Sequence, residues 1–376
     1  VCRRLASLVL AVLLIMDGCA SVGPGAAPRR LPLGDLLLVG FRGTAVEGND
    51  ELRALICDVR VGGLILFERD AATRAPRNII DPEQLARLTA DAQALARRCA
   101  GRPLLIATDA EGGSVLRLSM RAGYPPAPSA QDMGESAEVA LTEQEARRLG
   151  ERLREAGINW NLAPVVDVAV NPANPAVVAL GRTYSSDPDQ VTAHARAFIR
   201  GMHTAGVLTA LKHFPGHGSS VGDSHHGFTD VTDTANLNVE LVPFRALVKD
   251  GMADAVMPGH VFNRHLDTWH PASLSWYTIK RVLRARLGYK GVVVSDDLLM
   301  GAITQNYGLE EATLLALGAG VDLLLVSENT VKREPRAAQR VIGAIQRALD
   351  EGRLTRKTVQ AALTRVGALR ARVFVP

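Results

Sequence analysis

The sequence predicts an α/β fold, a single (β/α)8 barrel of the TIM type. Two observations carry that prediction. Eight short apolar runs alternate with stretches whose apolar residues recur every 3.6 positions. Acidic and His residues cluster where several of those runs end. Short strands buried on both faces and separated by helices make a parallel sheet. Eight such pairs, with no linker between them, fit a closed barrel better than an open doubly wound sheet.

The N-terminal stretch stands apart. Arg3 and Arg4 precede the apolar run Leu5–Met16, which suits a signal-peptide core and is short for a membrane-spanning helix. Gly18 before Cys19 resembles a bacterial lipoprotein signal, although Met16 and Asp17 depart from its usual residues. We expect a signal over residues 1–19, a Pro/Gly/Ala tether over 20–33 and the barrel over 34–376. The protein would then be exported to the periplasm, with its only membrane contact a lipid on Cys19. A cut elsewhere, or an over-extended reading frame beginning at Val1, is the competing reading.

The strand candidates are Leu36–Val39, Gly63–Phe67, Leu104–Thr108, Asn159–Val168, Val207–Leu211, Asp254–Met257, Val292–Val294 and Val321–Val326. Helices are expected at Pro82–Cys99, Glu138–Ala156 (Ser136 as N-cap), Pro188–Ala205, Leu237–Asp250, Ser275–Leu287, Glu310–Gly320, Ala337–Glu351 and Thr355–Ala371. Nothing indicates a second domain or an internal repeat.

Composition narrows the class of function. The 376 residues are 47% hydrophobic and 22% charged, as in an ordinary globular protein with a sizeable core. The formal net charge of +4 comes from scattered Lys and Arg, and aromatic content is only 4%, so no nucleic-acid surface is expected. Beyond the leader, Cys57 and Cys99 make no disulfide framework; they read as buried small hydrophobes rather than nucleophiles, and one bridge between them, possible in an exported protein, stays open.

The most informative stretch is Lys212–Gly227, KHFPGHGSSVGDSHHG, with four of the chain's nine His. Pro215, Gly216, Gly218 and Gly222 deny it regular structure, and it follows the strand GVLTAL. Three readings stand. It is a solvated polar turn; or His213, His217, His225 and His226 with Asp223 bind a metal, without any HExxH or paired CxxC spacing in support; or Asp223 orients His225, two residues on, for acid/base work. No cofactor is expected.

Other polar residues fall at strand ends, where a barrel gathers its site. Asp109, Asp167, His213, Met257, His260 and Asp296 all do so. Asp109 opens DAEGGSVLR, in which Gly112 and Gly113 let backbone approach a ligand and Arg117 offers a donor. Glu111 reads equally as a loop carboxylate. Arg182, in GRTYSSDP, is a fixed fork of donors or a surface cation. In SDD, Asp296 is assigned to the barrel mouth and Asp297 to the cap of the next helix.

VGFRG (39–43), ATDAEGGSVLRL (107–118), APVVDV (163–168), GRTYSSDP (181–188), KHFPGHGSSVGDSHH (212–226), VMPGH (256–260) and VVVSDDLLMGA (292–302) together resemble, in order, the motifs of bacterial β-N-acetylhexosaminidases of glycoside hydrolase family 3, the NagZ type. The resemblance implies a retaining enzyme that removes terminal β-linked N-acetylglucosamine. It implies Asp296 as nucleophile and His225, supported by Asp223, as acid/base. It puts Asp109, Arg117, Arg182, Lys212 and His213 on the terminal sugar, and we add Met257 to the substrate-binding set. Ser219-Ser220, Thr183-Tyr184 and Leu299 depart from the family's usual residues and bear on fine specificity.

An exported enzyme of this kind would meet muropeptides or chitooligosaccharides, and it is expected to be a monomer. The family's β-glucosidase branch takes its acid from a second domain, for which this chain is too short. The rivals are a sugar-binding lipoprotein on an inactive barrel, a metallohydrolase, a phosphorylase, and catalysis by the substrate's own acetamido group.

Overall fold

The structure is a computed structural model describing residues 31–136, 138–225, 227–331, 334 and 336–373. The proposed signal, nearly all of the tether, and His226 lie outside the described residues.

All eight strands form, and all are parallel. They are β1 (Leu37–Val39), β2 (Gly63–Ile65), β3 (Leu105–Thr108), β4 (Trp160–Asn161), β5 (Leu208–Phe214), β6 (Ala255–Pro258), β7 (Val292–Val293) and β8 (Leu324–Val326). Their order is β7-β6-β5-β4-β3-β2-β1-β8. Pairing of Val294 with Leu323 joins the two ends, so the curled sheet closes as the sequence predicts.

Side chains at alternate positions fill the interior. Leu38, Ile65, Leu105, Ala107, Trp160, Leu208, Ala255, Val292 and Leu325 belong to one buried cluster. The Trp160 indole donates to the Thr209 carbonyl at 3.1 Å, so its polar end is satisfied.

The outer layer is α1 (Asp50–Ala54), continued by a wider helical turn Leu55–Val59, then α2 (Pro82–Ala100), α3 (Val139–Glu155), α4 (Pro188–Thr204), α5 (Leu237–Lys249), α6 (Tyr277–Arg286, wound as a wider π-helix), α7 (Leu309–Ala319), α8 (Ala337–Asp350) and α9 (Arg356–Arg370). The α1 segment was not expected from the periodicity, because only Leu52, Leu55 and Ile56 of it are buried. Its start is readable in hindsight: Asn49 accepts the Leu52 amide as an N-cap.

Two expectations need correction, and one open question is answered. Ser136 ends the short helix Ala130–Ser136, and the N-cap position of α3 is held by Glu138, whose side chain makes no capping bond. The Asn159–Val168 strand shrinks to Trp160–Asn161, because Pro164, with no amide hydrogen to give the ladder, interrupts the run. Cys57 and Cys99 are joined in a disulfide, tying the turn after α1 to the end of α2.

The helix α9 seals the barrel's N-terminal end. Val366 and Leu369 join the interior cluster. Arg365 pairs with Asp322 ahead of β8, Arg370 with Asp35 ahead of β1, and Arg372 with Asp254 ahead of β6. Polar chemistry is thereby left to the opposite end. Among the described residues no helix is long and apolar enough to cross a membrane.

Candidate active site

The C-terminal strand ends open into a cleft of about 950 Å³. Every predicted site residue lines it: Asp109, Arg117, Arg182, Lys212, His213, Asp223, His225, Met257 and Asp296. They come from five strand ends or the loops that follow them, which is the convergence a barrel provides.

The wall after β3 is set by Asn161, whose buried amide donates to the Ala110 carbonyl (2.8 Å) and accepts the Ala110 amide (3.0 Å). Ala110 separates Asp109 from Glu111, and in extended backbone those two side chains share a face. Lys212 Nζ therefore reaches both carboxylates, Asp109 at 2.9 Å and Glu111 at 2.6 Å. Arg182 grips Glu111 with two bonds of 2.8 Å and sends a third to the Ala176 carbonyl. Burial alone would raise the Glu111 carboxyl, but Arg182 and Lys212 outweigh it and hold it far below the usual carboxylate range. The same carboxylates raise the Lys212 ammonium against a burial effect of opposite sign.

Sequence reasoning left Glu111 undecided, and it is the hub of this wall. The alternation Asp-Ala-Glu before Gly-Gly is the signal that could have found it. Arg182 is no surface cation; it is buried. Arg117 lies 4.0 Å from Asp109, with its guanidinium 5.7 Å from the Phe67 ring centre.

Lys212 and His213 stand within β5, and Met257 pairs in register with Lys212 across β6. Asp167 is fully buried beneath them. It accepts His213 Nδ1 at 2.7 Å and the backbone amides of His213 (3.1 Å) and His217 (2.8 Å). His213 Nδ1 is thus engaged, leaving Nε2 as its free ring nitrogen. In the sequence, Asp167 is legible only as a strand-end acid.

Past β5 the chain crosses close to Val168, where a Cβ on Gly218 would meet the Val168 carbonyl at 1.7 Å, so only Gly fits. Asn171 and Asn174 clamp the loop base by donating to the carbonyls of Ser220 (2.8 Å) and His217 (2.7 Å). The tip then carries Asp223 and His225. Asp223 Oδ1 accepts both the His225 amide (2.9 Å) and Nδ1 (2.8 Å), which fixes the imidazole and leaves Nε2 free. The His225 side chain is 58% exposed, at the cleft rim. The bond to Asp223 raises its pKa, partial burial opposes the rise, and Asp296 adds to it.

Asp296 sits at the end of β7. Burial would raise its carboxyl, but His260, His213 and His225 hold it down at about 2. His260 Nε2 donates to the Asp297 carbonyl (2.9 Å), and Nδ1 accepts from Ser273 (2.6 Å). Asp297 does not cap the next helix, Gly301–Thr304, whose N-cap is Met300. Its side chain instead accepts the Ser327 amide and hydroxyl and so ties β7 to the residue after β8.

His213, His217 and His225 have separate partners, and among the described residues no group of three or more His, Cys, Asp or Glu could hold a metal. What the cleft assembles is an ionised carboxylate, an Asp-oriented imidazole at the rim, and a wall of fixed donors and acceptors suited to hydroxyl groups.

The Glycosyl hydrolase family 3 N terminal domain model matches residues 30–369. The chain belongs to this family. As a family 3 chain, it is a glycoside hydrolase. It is 37% identical over 300 residues to a beta-hexosaminidase of Xylella fastidiosa, covering 77% of this chain and 83% of that one. It is 35% identical over 354 residues to beta-hexosaminidase LpqI of Mycobacterium tuberculosis, covering 92% and 84%. Among solved structures, a family 3 beta-N-acetylglucosaminidase from Paenibacillus sp. str. FPU-7 superposes with TM-score 0.83 at 36% identity, covering 92% of this chain and 63% of that longer one. A beta-N-acetylhexosaminidase from Beutenbergia cavernae gives 0.80 at 30% identity, covering 90% and 97%.

Proposed function

We propose that this protein is a retaining exo-β-N-acetylglucosaminidase acting through a covalent glycosyl-enzyme on Asp296. The observation that carries the reading is the pairing of an ionised Asp296 with an Asp223-held, proton-bearing His225 in one cleft. A low pKa keeps Asp296 anionic and able to attack the anomeric carbon. A raised pKa keeps His225 protonated and able to give Nε2–H to the departing oxygen.

In the first half-reaction, an Asp296 oxygen bonds to C1, the C1–O bond to the leaving group breaks, and that oxygen takes the His225 proton. In the second, water attacks C1, His225 takes a proton from it, and Asp296 leaves as carboxylate. Lys212, Asp109 and Arg117 are positioned to bond the terminal sugar's hydroxyls, and Arg182 acts by fixing Glu111. The names of the hexosaminidase relatives support N-acetylglucosamine as that sugar.

Muropeptides or chitooligosaccharides are the proposed substrates, met outside the cytoplasm by a protein anchored through Cys19. The leader supports export, and so does the Cys57–Cys99 bridge, since disulfides persist in oxidising compartments. The test is turnover of a chromogenic β-N-acetylglucosaminide by wild type and its loss in Asp296→Ala. A wild-type protein inert toward every β-hexosaminide would refute the reading.

A further inference from the structure

Resting on that reading, we propose that Ser224 is a positioning residue for proton transfer, its hydroxyl bonded to His217 so that the loop tip presents His225 to the glycosidic oxygen. Ser224 lies between the two members of the dyad, yet it is 2% exposed while the His225 side chain is 58% exposed. It is therefore the inward-pointing residue of an outward-facing tip. Two bonds leave it for the body of the protein. Its Oγ lies 3.1 Å from His217 Nε2. Its carbonyl accepts the Ala302 amide at 3.2 Å, on the short helix that follows Asp296 and Asp297. One residue thus ties the acid/base tip to the floor of its own loop and to the chain that carries the nucleophile.

The protons in this network can be assigned. Ser220 Oγ is 2.9 Å from the His217 carbonyl, which can only accept, so the Ser220 proton goes there. His217 Nδ1, 2.8 Å from Ser220 Oγ, must then donate to it. His217 Nε2 is left as a bare acceptor, and Ser224 O–H donates to it. In this arrangement every proton has one partner. Burial supports it, lowering the His217 pKa to about 4, so the ring stays neutral at working pH. His217 is itself held from below, because its amide donates to Asp167 and its carbonyl accepts from Asn174. The post is rigid and the latch is a single hydrogen bond.

A positioning role has a signature that a loss of fold lacks. A displaced acid slows only reactions whose leaving group needs a proton. We compare kcat/KM, which reports the first half-reaction, for an alkyl and a dinitrophenyl β-N-acetylglucosaminide. Ser224→Ala is expected to lose on the order of 10- to 100-fold on the alkyl substrate, part of what a general acid supplies, and less than about threefold on the dinitrophenyl one. His217→Gln is expected to give the same split, and the double variant to be no worse than the poorer single one. Ser224→Thr against Ser224→Val, which differ in the hydroxyl alone, removes folding from the comparison; the Thr form should be about tenfold better on the alkyl substrate. Equal loss on both substrates, no loss on either, fully additive effects or equal Thr and Val variants would overturn the latch. Failure of wild type on both substrates would instead overturn the proposed activity.

Discussion

At the scale of single residues, the proposed mechanism rests on two ionisations pushed apart. Asp296 is held at about 2 and His225 above its ordinary value, so one is charged and the other protonated over a wide pH span. The acidic side of the kcat/KM profile should therefore show no limb from Asp296 above about pH 4. The basic limb should come from His225, which loses its donated proton as pH rises through a pKa above the usual ~6.5. Asp223→Asn removes the largest upward influence on His225 and should move that limb toward lower pH. An unmoved limb would assign it to another group. The acid role has its own test: His225→Ala should retain most activity on dinitrophenyl substrates and fall by about 10²–10⁴-fold on alkyl glycosides. Asp296, Asp223, His225 and Lys212 are legible in the sequence as cleft-lining residues, because their motifs are dense and begin at strand ends. Glu111 was not, because a carboxylate beside two glycines reads as a loop until Asn161 shows how that backbone is held.

At the scale of elements, helices position the loops that carry the proposed site. The α5 residue Glu240 lies beneath the loop that carries Asp223 and His225, where it accepts the amides of Ser219 (3.2 Å) and Asn236 (2.8 Å). Burial is the main reason its carboxyl is pushed up from 4.5 to about 7. A carboxyl with a raised folded-state pKa stabilises fully below its unfolded value and loses that contribution as pH rises through the folded one. The melting-temperature advantage of wild type over Glu240→Gln should therefore shrink as pH rises between 4.5 and about 7. A constant difference would mean that Glu240 does not titrate there. At the other end of the barrel, Arg365→Ala removes one of two Arg partners from fully buried Asp322 and should cost about 1–3 kcal/mol in urea unfolding. The Cys57–Cys99 bridge spans 42 residues, and its reduction should lower stability by about 2–4 kcal/mol. In the sequence that bridge stays open, because two Cys on different helical segments show no spacing that pairs them.

At the scale of the whole molecule, a closed parallel barrel was predictable because its signal repeats. Each strand–helix pair is weak alone, and eight in register leave few alternatives. What escaped was what breaks the repeat: the short α1 segment, the strand cut at Ala163–Pro164, and Asp297 turned to bind β8's end rather than cap a helix. The barrel sets Asp296 after β7 and His225 after β5 on one cleft, and that arrangement requires a covalent intermediate if both groups act as proposed. Its rival, attack by the substrate's acetamido oxygen, needs no bond to the protein. Mass spectrometry of the enzyme after incubation with a 5-fluoro-N-acetylglucosaminide decides between them. The account predicts one added sugar residue, on the peptide containing Asp296. Turnover without an adduct, or an adduct on any other residue, would contradict it.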